Sequence, residues 1–287
     1  MKDLGEASFV LGIEIHRDRR KGVLGLSQKA YLEKVLKKYG MHASKPTPAP
    51  IVKGDSFGKF QCPKNQYEID LMKAVPYVSA VESLQYDQVW TRPDLVFITR
   101  VLGRFQSNPG IEHWKMVKKA LCYVQGTKGL MLTYRRSDSL EIEGYSDSDF
   151  AGDIDDRKST SGYVFTLAGG AISWKSSKQS VTASSTMYAE FVACYEASGQ
   201  VKWLKKFIPG LKVVDSIERP IKMYCDNEPA VFYAHNNKSS GAAKHINIKF
   251  YVVKEQIQDH TISLEYISTK RMLADPLTKG LPPSVFR

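Results

Sequence analysis

Four acidic residues in the second half of the chain have the type and setting of a metal-dependent site. Asp147 and Asp226 each close an apolar, strand-like run, whereas Glu190 and Asp275 lie in helix-like stretches. Carboxylates that converge on one pocket from separate elements repel each other unless a divalent cation neutralises them. The four residues therefore predict a centre that holds two Mg²⁺ ions, with Mn²⁺ as an alternative, as in nucleases that hydrolyse phosphodiesters.

The sequence before residue 137 predicts a mostly helical region. Period-two runs around a charged turn predict an N-terminal β-hairpin, and the polar stretch at 51–69 predicts a flexible connector. Apolar spacing predicts a helix before this connector and three helices after it, followed by a strand. The predicted elements are strands at 8–17, 23–28 and 130–135, and helices at 29–39, 76–88, 94–106 and 111–125.

After residue 140 the pattern becomes mixed α/β, with four strands, a long helix, a strand, two helices, a strand and a closing helix. Asp147 and Asp226 then each end a strand, and Glu190 and Asp275 lie on the first and last helices of this region. The predicted strands are 140–147, 162–168, 170–176, 179–184, 221–226 and 262–267, and the predicted helices are 185–207, 228–236, 247–259 and 272–278.

The positive charge is confined to one half of the chain. The 287 residues carry a formal net charge of +11. Residues 1–137 hold 23 Lys and Arg against 12 Asp and Glu, which gives +11, and residues 138–287 hold 18 of each. A basic half beside an acidic pocket suits a nucleic-acid partner, although a merely soluble basic surface gives the same numbers.

Composition also argues against other classes of protein. No apolar run is long enough to span a bilayer, so we expect no membrane association. The four cysteines are widely separated, which predicts reduced thiols in an intracellular protein.

The same segments resemble a known family. The chain is similar to the C-terminal part of the Pol polyprotein of copia-type retrotransposons, which comprises the end of the reverse transcriptase, a connecting region and a ribonuclease H domain. The resemblance covers nearly the whole chain and depends on a series of motifs in one order. The motifs are Leu-Gly-Ile-Glu-Ile (11–15), Thr-Arg-Pro-Asp-Leu (91–95), Arg-Phe-Gln-Ser-Asn-Pro (104–109), Tyr-Ser-Asp-Ser-Asp-Phe-Ala-Gly (145–152), Arg-Lys-Ser-Thr-Ser-Gly-Tyr (157–163), Lys-His-Ile (244–246) and Ala-Asp-Pro-Leu-Thr-Lys (274–279).

The resemblance implies an α/β fold: a ribonuclease H-like mixed five-stranded sheet with flanking helices, preceded by a mostly helical reverse-transcriptase remnant with an N-terminal hairpin. It implies a palm and thumb remnant at 1–60, a helical connection region at 61–137 and a ribonuclease H domain at 138–287. The implied activity is hydrolysis of the RNA strand of an RNA–DNA hybrid.

The resemblance also implies roles for individual residues. Asp147 would bridge two metal ions, Glu190 and Asp226 would complete the shell of one, and Asp275 would help to hold the other. Asp149 is expected to lie behind the site or in a loop. The residues expected to contact the hybrid or a template-primer are Arg157, Lys158, Ser159, Thr160, Lys175, Asn227, Lys244 and His245.

Two features limit the expected activity. The adjacent acidic pair Asp155-Asp156 lies within the ribonuclease half, so the paired aspartates of a polymerase are missing and no polymerisation is expected. Tyr188, where the family pattern has an acidic residue, is expected to disturb the helix surface near the pocket. Trp90 and Glu82 also stand where the family tends to have small residues, and a catalytically silent nucleic-acid-binding remnant is therefore the alternative hypothesis.

Overall fold

The protein consists of two units, each with its own hydrophobic core. The computed structural model describes residues 5–137, 140–212, 219–236 and 244–286. One unit comprises Met1–Arg136 and Gly280–Arg287, and the other comprises Ser137–Lys279. The expected division at residue 60 falls inside the first unit, and the last residues belong with that unit rather than with the domain expected at 138–287.

An antiparallel sheet opens the first unit and contains the predicted N-terminal hairpin, which is confirmed. The turn of this hairpin is fixed by Asp18, whose carboxylate accepts a hydrogen bond of 3.0 Å from the amide of Lys21. The strand predicted at 130–135 adds to the open edge of the hairpin, a pairing that the sequence did not predict. In spatial order the strands are β1 (Phe9–Val10), β2 (Ile13–Asp18), β3 (Val23–Ser27) and β4 (Leu132–Arg135).

Helices make up the rest of the first unit, and four of them match the predicted ones. The stretch expected to be a flexible connector is not one throughout, because a helix begins at Gln66. Asn65 caps it by accepting a hydrogen bond of 2.9 Å from the amide of Glu68, which satisfies one of the free amides of the first turn. The helices are α1 (Lys29–Lys38), α2 (Gln66–Lys73), α3 (Tyr77–Trp90), α4 (Val96–Gly103) and α5 (Ile111–Thr127).

Glu82 does not disturb the core because it lies on the exposed face of α3. Leu84 and Val81 are fully buried, whereas Val78 is 42% exposed and Glu82 faces solvent. Trp90 is also partly exposed and lies 6.3 Å, centroid to centroid, from the ring of Tyr86. Neither residue therefore disturbs the core of this unit.

A buried polar cluster joins the turn before α4 to α5. Arg92 donates hydrogen bonds to Asp94 from Nε and Nη2, at 3.0 and 2.7 Å, and a further one to Thr127. Tyr123 donates to the same carboxylate at 2.7 Å. Asp87 lies beside this cluster with no exposed surface, and neither of its carboxylate oxygens has a hydrogen-bond partner in the part of the chain that the structure describes.

We predict that Asp87 makes folding stability fall as the pH rises. Burial, opposed by Arg92 and helped by Asp94, raises the pKa of Asp87 to about 8. Between about pH 4, where the unfolded carboxyl titrates, and pH 8, the folded protein therefore holds one more proton than the unfolded chain, so the free energy of unfolding decreases with pH. Asp87→Asn should remove this slope and stabilise the protein by about 1–3 kcal/mol at pH 8.

Urea unfolding at pH 5 and pH 8 measures both effects. Asp70→Asn is the matched control, because Asp70 is exposed and paired with Lys73 at 2.7 Å. An equal pH slope in wild-type protein and in Asp87→Asn would show that Asp87 is not protonated in the folded state.

In the second unit the described strands form one mixed sheet in the order β7-β6-β5-β8-β9. β5 pairs antiparallel with β6 and β6 with β7, whereas β5 pairs parallel with β8 and β8 with β9. This is the ribonuclease H-like α/β fold, which confirms the predicted class. The strands are β5 (Glu143–Ser148), β6 (Thr160–Leu167), β7 (Gly170–Lys178), β8 (Ile221–Cys225) and β9 (Ile262–Tyr266).

Two predicted elements of this unit are wrong. The strand expected at 179–184 is absent, because after β7 the chain leaves the sheet for Ser185, whose side chain accepts a hydrogen bond of 3.2 Å from the amide of Tyr188 and starts α6. The closing helix expected at 272–278 is replaced by two short 3₁₀ turns, Thr269–Arg271 and Asp275–Leu277. The helices are α6 (Thr186–Gly210), α7 (Glu228–His235) and α8 (Lys244–Gln258), and α9 (Pro283–Phe286) follows in the first unit.

Among the helices that the structure describes, none combines the length and the apolar composition that a membrane span requires.

Candidate metal centre

The structure brings all four predicted acidic residues together at one edge of the second sheet. Asp147 is the fifth residue of β5, and Asp226 follows directly after β8, its parallel neighbour, so both lie at the carboxyl ends of adjacent strands. Glu190 reaches the same place from the second turn of α6, and Asp275 from the last 3₁₀ turn. Carboxylate oxygens of Asp147, Asp226 and Asp275 lie within 4.8 Å of one another.

A second group of potential ligands overlaps the first. Atoms of Glu190, Cys225 and Asp226 also lie within 4.8 Å of one another, so Asp226 belongs to both groups. The hydrogen bond that the Cys225 thiol donates to Cys194, together with burial, raises the pKa of this thiol, which therefore stays neutral and is a weak ligand. The stronger ligands of both groups are therefore carboxylates.

Most of these carboxylates are buried, and burial raises the pKa of two of them. Asp147, Glu190 and Asp275 are 0%, 3% and 6% exposed. Burial, with the charges of Asp147 and Asp226 nearby, raises the pKa of Glu190 to about 10. Burial and the charge of Asp147 raise the pKa of Asp275 to about 6. The cluster therefore favours any cation that can enter and compensate the negative charge.

The residues present fit a divalent cation. The Oδ1 atom of Asp147 is buried and has no hydrogen-bond partner among the residues described. An orphaned carboxylate oxygen in such a position is costly unless something positive faces it. Oxygen ligands from several carboxylates are those that Mg²⁺ and Mn²⁺ prefer.

Lys279 is a member of the site that the sequence analysis missed. Its Nζ atom lies 2.9 Å from Oδ1 of Asp275 and 3.5 Å from Oδ2 of Asp147. Burial alone would lower the pKa of Lys279, but the two carboxylates outweigh it and raise the pKa above its usual value. The available signal was a cation four residues after Asp275 in the Ala-Asp-Pro-Leu-Thr-Lys motif.

Two threonines also hold the acidic residues in place and were not predicted. Thr278 is buried, and its hydroxyl donates to Oδ2 of Asp147 while lying 3.0 Å from the carbonyl oxygen of Asp275. Thr269 donates to Oδ2 of Asp226 at 2.7 Å. The loop after β9 thus contributes a hydroxyl to the site.

Gly162 makes room for the turn that carries Asp275. It lies directly opposite Asp147 on the neighbouring strand β6. A Cβ atom at this position would meet Cγ2 of Thr278 at 2.6 Å and Cβ of Leu277 at 2.9 Å. The 3₁₀ turn therefore packs directly against the backbone of β6.

Two further expectations concern residues next to the acidic ones. Asp149 lies in the loop after β5, where its carboxylate accepts a hydrogen bond from the amide of Thr160. Tyr188 does not disturb the helix surface as expected, because its side chain is buried against Ala183 and Val192. Glu190, two residues later, turns towards the sheet and accepts a hydrogen bond of 3.2 Å from the amide of Ser148.

The loop from β5 to β6 contains four of the expected nucleic-acid contacts. Arg157 is exposed and Lys158 is half-buried, so both can reach a phosphate. Ser159 and Thr160 cannot in this conformation, because they are 0% and 2% exposed. The Ser159 hydroxyl accepts a hydrogen bond of 3.1 Å from the amide of Ala151, which gives it a role in the shape of the loop.

The other expected contacts are distributed over three elements. Lys175 is exposed on β7, the edge strand of the sheet. Asn227 is the N-cap of α7, and its Oδ1 accepts a hydrogen bond of 3.0 Å from the amide of Ala230. Lys244 and His245 begin α8, but their side chains lie outside the described part of the chain.

Comparison with known proteins gives relatives over the full length of the chain. It is 41% identical over 286 residues to the retrovirus-related Pol polyprotein from transposon TNT 1-94 of Nicotiana tabacum, of which it covers 21%. It is 32% identical over 287 residues to the corresponding polyprotein from transposon RE1 of Arabidopsis thaliana, of which it covers 19%. The chain thus spans about a fifth of the length of these relatives. No protein-family model matches it.

Among solved structures, the chain is similar to a ribonuclease H1, LC11-RNase H1, crystallised with an RNA/DNA hybrid. The match covers 51% of this chain and all of that one, with 17% identity and a TM-score of 0.36. The fold of the second unit is defined by the strand order and directions described above.

Proposed function

Because the chain belongs to the retrovirus-related Pol polyproteins of copia-type transposons, we propose that its second unit is a ribonuclease H domain. It hydrolyses the RNA strand of an RNA–DNA hybrid and uses two divalent cations, Mg²⁺ or Mn²⁺. The observation that carries the proposal is the convergence of Asp147, Glu190, Asp226 and Asp275 at one edge of the sheet, with a buried oxygen of Asp147 left without a partner.

Bound cations supply a water of lowered pKa and stabilise the leaving oxygen. The residues of this chain bind and orient them. Glu190 and Asp226 form one set of ligands, and Asp147, Asp226 and Asp275 form the other. The resemblance gives the shared position to Asp147, whereas in this structure the two groups share Asp226.

Fixed neighbours give these ligands their orientation. Thr278 fixes Oδ2 of Asp147 and leaves Oδ1 for a cation. Thr269 likewise orients Asp226, by donating to its Oδ2 atom. Such support reduces the reorganisation needed when a cation binds.

Exposed cations of the second unit would hold the substrate backbone. Arg157, Lys158 and Lys175 are accessible, and phosphates of either strand are their natural ligands. The basic excess of residues 1–137 adds a non-specific attraction for nucleic acid that weakens with salt. We assign residues 1–60 to a palm and thumb remnant and 61–137 to a connection region on the same family grounds.

Polymerisation is not proposed for these residues. The adjacent aspartates Asp155 and Asp156 lie in the loop between β5 and β6, and Asp156 is paired with Lys178 at 2.8 Å. The features that favoured a silent remnant are also accommodated, since Tyr188 is buried away from the acidic cluster and Glu82 is exposed. A family member of this kind would act inside the cell, in the cytoplasm, the nucleus or a virus-like particle.

The test is cleavage of an end-labelled RNA–DNA hybrid by the purified chain. With Mg²⁺ we expect cuts in the RNA strand alone, with 3′-hydroxyl and 5′-phosphate ends, and none in RNA or DNA duplexes of the same sequence. EDTA should abolish the cuts. A folded protein that binds the hybrid without cutting it in Mg²⁺ or Mn²⁺ would refute the proposal and establish the silent remnant instead.

A further inference from the structure

The ammonium group of Lys279 lies within the acidic cluster, at the position where a divalent cation would otherwise bind. Its ammonium group lies 2.9 Å from Oδ1 of Asp275 and 3.5 Å from Oδ2 of Asp147. Those two residues, with Asp226, form one of the two groups that could hold an ion. The other group consists of Glu190, Cys225 and Asp226. Among the ion pairs described, Lys279 forms none with these three residues.

A divalent cation and this ammonium group exclude each other. Mg²⁺ binds carboxylate oxygens at about 2.0–2.1 Å, so an ion held by Asp147 and Asp275 would lie within a few ångströms of Nζ. Like charges at such a separation repel strongly in a buried setting. One of them must leave before the other is fully bound.

The structure shows which partner is able to leave. The Lys279 side chain is 37% exposed, whereas the Asp147 and Asp275 side chains are 1% and 9% exposed. Lysine carries its charge on a flexible four-carbon stem, so the ammonium can move to solvent without moving the backbone. Thr278, which is buried, keeps Asp147 in place while this happens.

We infer that Lys279 is a tethered cation that competes with one of the two divalent ions. Loading of the Asp147–Asp275 position is then an exchange, in which the ion displaces the ammonium, whereas at the other position only Asp226, without an ion pair to Lys279 among those described, interacts with this charge. The inference rests on the proposed metal centre. It adds that the Lys279 ammonium stabilises the acidic cluster when no metal is bound and weakens the affinity of the cluster for one ion.

The experiment is a calorimetric titration of the whole chain with Mn²⁺ alone, without nucleic acid. In Lys279→Met we expect one of two binding events to tighten by about tenfold, because the competing charge is gone while the carboxylates remain. Lys279→Arg keeps the charge and should keep the weaker binding. Lys119→Met is the matched control, since it removes a lysine paired with Asp55 at 2.6 Å in the other unit.

A thermal readout separates this role from a merely structural one. Without metal, Lys279→Met should melt at a lower temperature than the wild type, and saturating Mn²⁺ should raise its Tm by more than it raises that of the wild type. If Lys279→Met is unfolded without metal, the Mn²⁺ concentration that restores folding gives the affinity instead. Unchanged or weaker Mn²⁺ binding in Lys279→Met, by either route, overturns the inference.

The outcomes also distinguish this inference from the proposed function. Tighter Mn²⁺ binding in Lys279→Met by a protein that never cuts hybrid upholds the inference and refutes the nuclease. Metal-dependent cleavage by the wild type, with equal Mn²⁺ affinity in Lys279→Met, upholds the nuclease and overturns the inference. Absence of Mn²⁺ binding by both proteins overturns both.

Discussion

Asp147→Asn should lower the rate of RNA cleavage by at least about 10³-fold at saturating Mg²⁺. An amide offers one neutral oxygen where the carboxylate offered two charged ones, and Asp147 is the residue whose buried Oδ1 lacks any described partner. The loss should appear in kcat with hybrid affinity nearly unchanged, because Asp147 is buried and, in the proposed centre, would hold ions rather than the nucleic-acid backbone. Single-turnover cleavage and hybrid binding measure the two quantities separately.

Asp149→Asn is the matched control for this variant. Asp149 lies two residues further on, and its carboxylate holds the amide of Thr160 rather than the acidic cluster. We expect it to keep activity within about tenfold, since it affects only the shape of the loop. If Asp147→Asn cleaves as well as Asp149→Asn, the acidic cluster is not the catalytic centre.

Glu190→Gln, which should also be inactive, has a control on its own helix. Glu196 lies further along α6 and accepts a hydrogen bond of 3.0 Å from Ser177 outside the cluster. Glu196→Gln should therefore remain active. Equal activity of the two variants would place the catalytic carboxylate elsewhere.

Gly162→Ala should reduce cleavage by about 10- to 100-fold and destabilise the second unit by about 1–3 kcal/mol. The added methyl group would lie 2.6 Å from Cγ2 of Thr278 and 2.9 Å from Cβ of Leu277, so the 3₁₀ turn must move. That turn carries Asp275 and places the Thr278 hydroxyl on Asp147. A displacement of a few tenths of an ångström at two ligands is therefore unavoidable.

Gly199→Ala gives the control for this substitution in the same unit. A Cβ atom at Gly199 on α6 would have nothing within 4 Å. Alanine is the better helix former, so this variant should gain about 0.5–1 kcal/mol and keep its activity. Urea unfolding and cleavage rates of both variants provide the measurement, and full activity in Gly162→Ala would show that the turn is not held against β6 as described.

The sequence alone predicted most of the elements in their order, except the strand after β7 and the closing helix, and it proposed the acidic residues. Alternating apolar residues predict strands and apolar residues at helical spacing predict helices, so β5, α6 and β8 were found within a few residues of their bounds. Asp147 and Asp226 followed because each ends such a strand. Parallel neighbours in this strand order then bring their carboxyl ends together.

Contacts between residues distant in sequence were decided only by the tertiary structure. β4 pairs with β3 across more than a hundred residues, and no local pattern names that partner. Ser159 and Thr160 have the composition of an exposed loop but are buried, and the Ser159 hydroxyl accepts a hydrogen bond from the amide of Ala151 within the loop. The closing helix is replaced by 3₁₀ turns, of which Asp275–Leu277 packs on Gly162.

The acidic residues of the site could be proposed from the sequence, whereas the cation that faces them could not. A carboxylate in a functional motif can be recognised by its neighbours in sequence. The role of Lys279 depends instead on its distance from Asp147, which lies on another element, and on the burial that strengthens their interaction. Sequence determined which groups carry negative charge, and folding decided which positive charge faces them, because electrostatic interactions depend on separation in space and on exclusion of water.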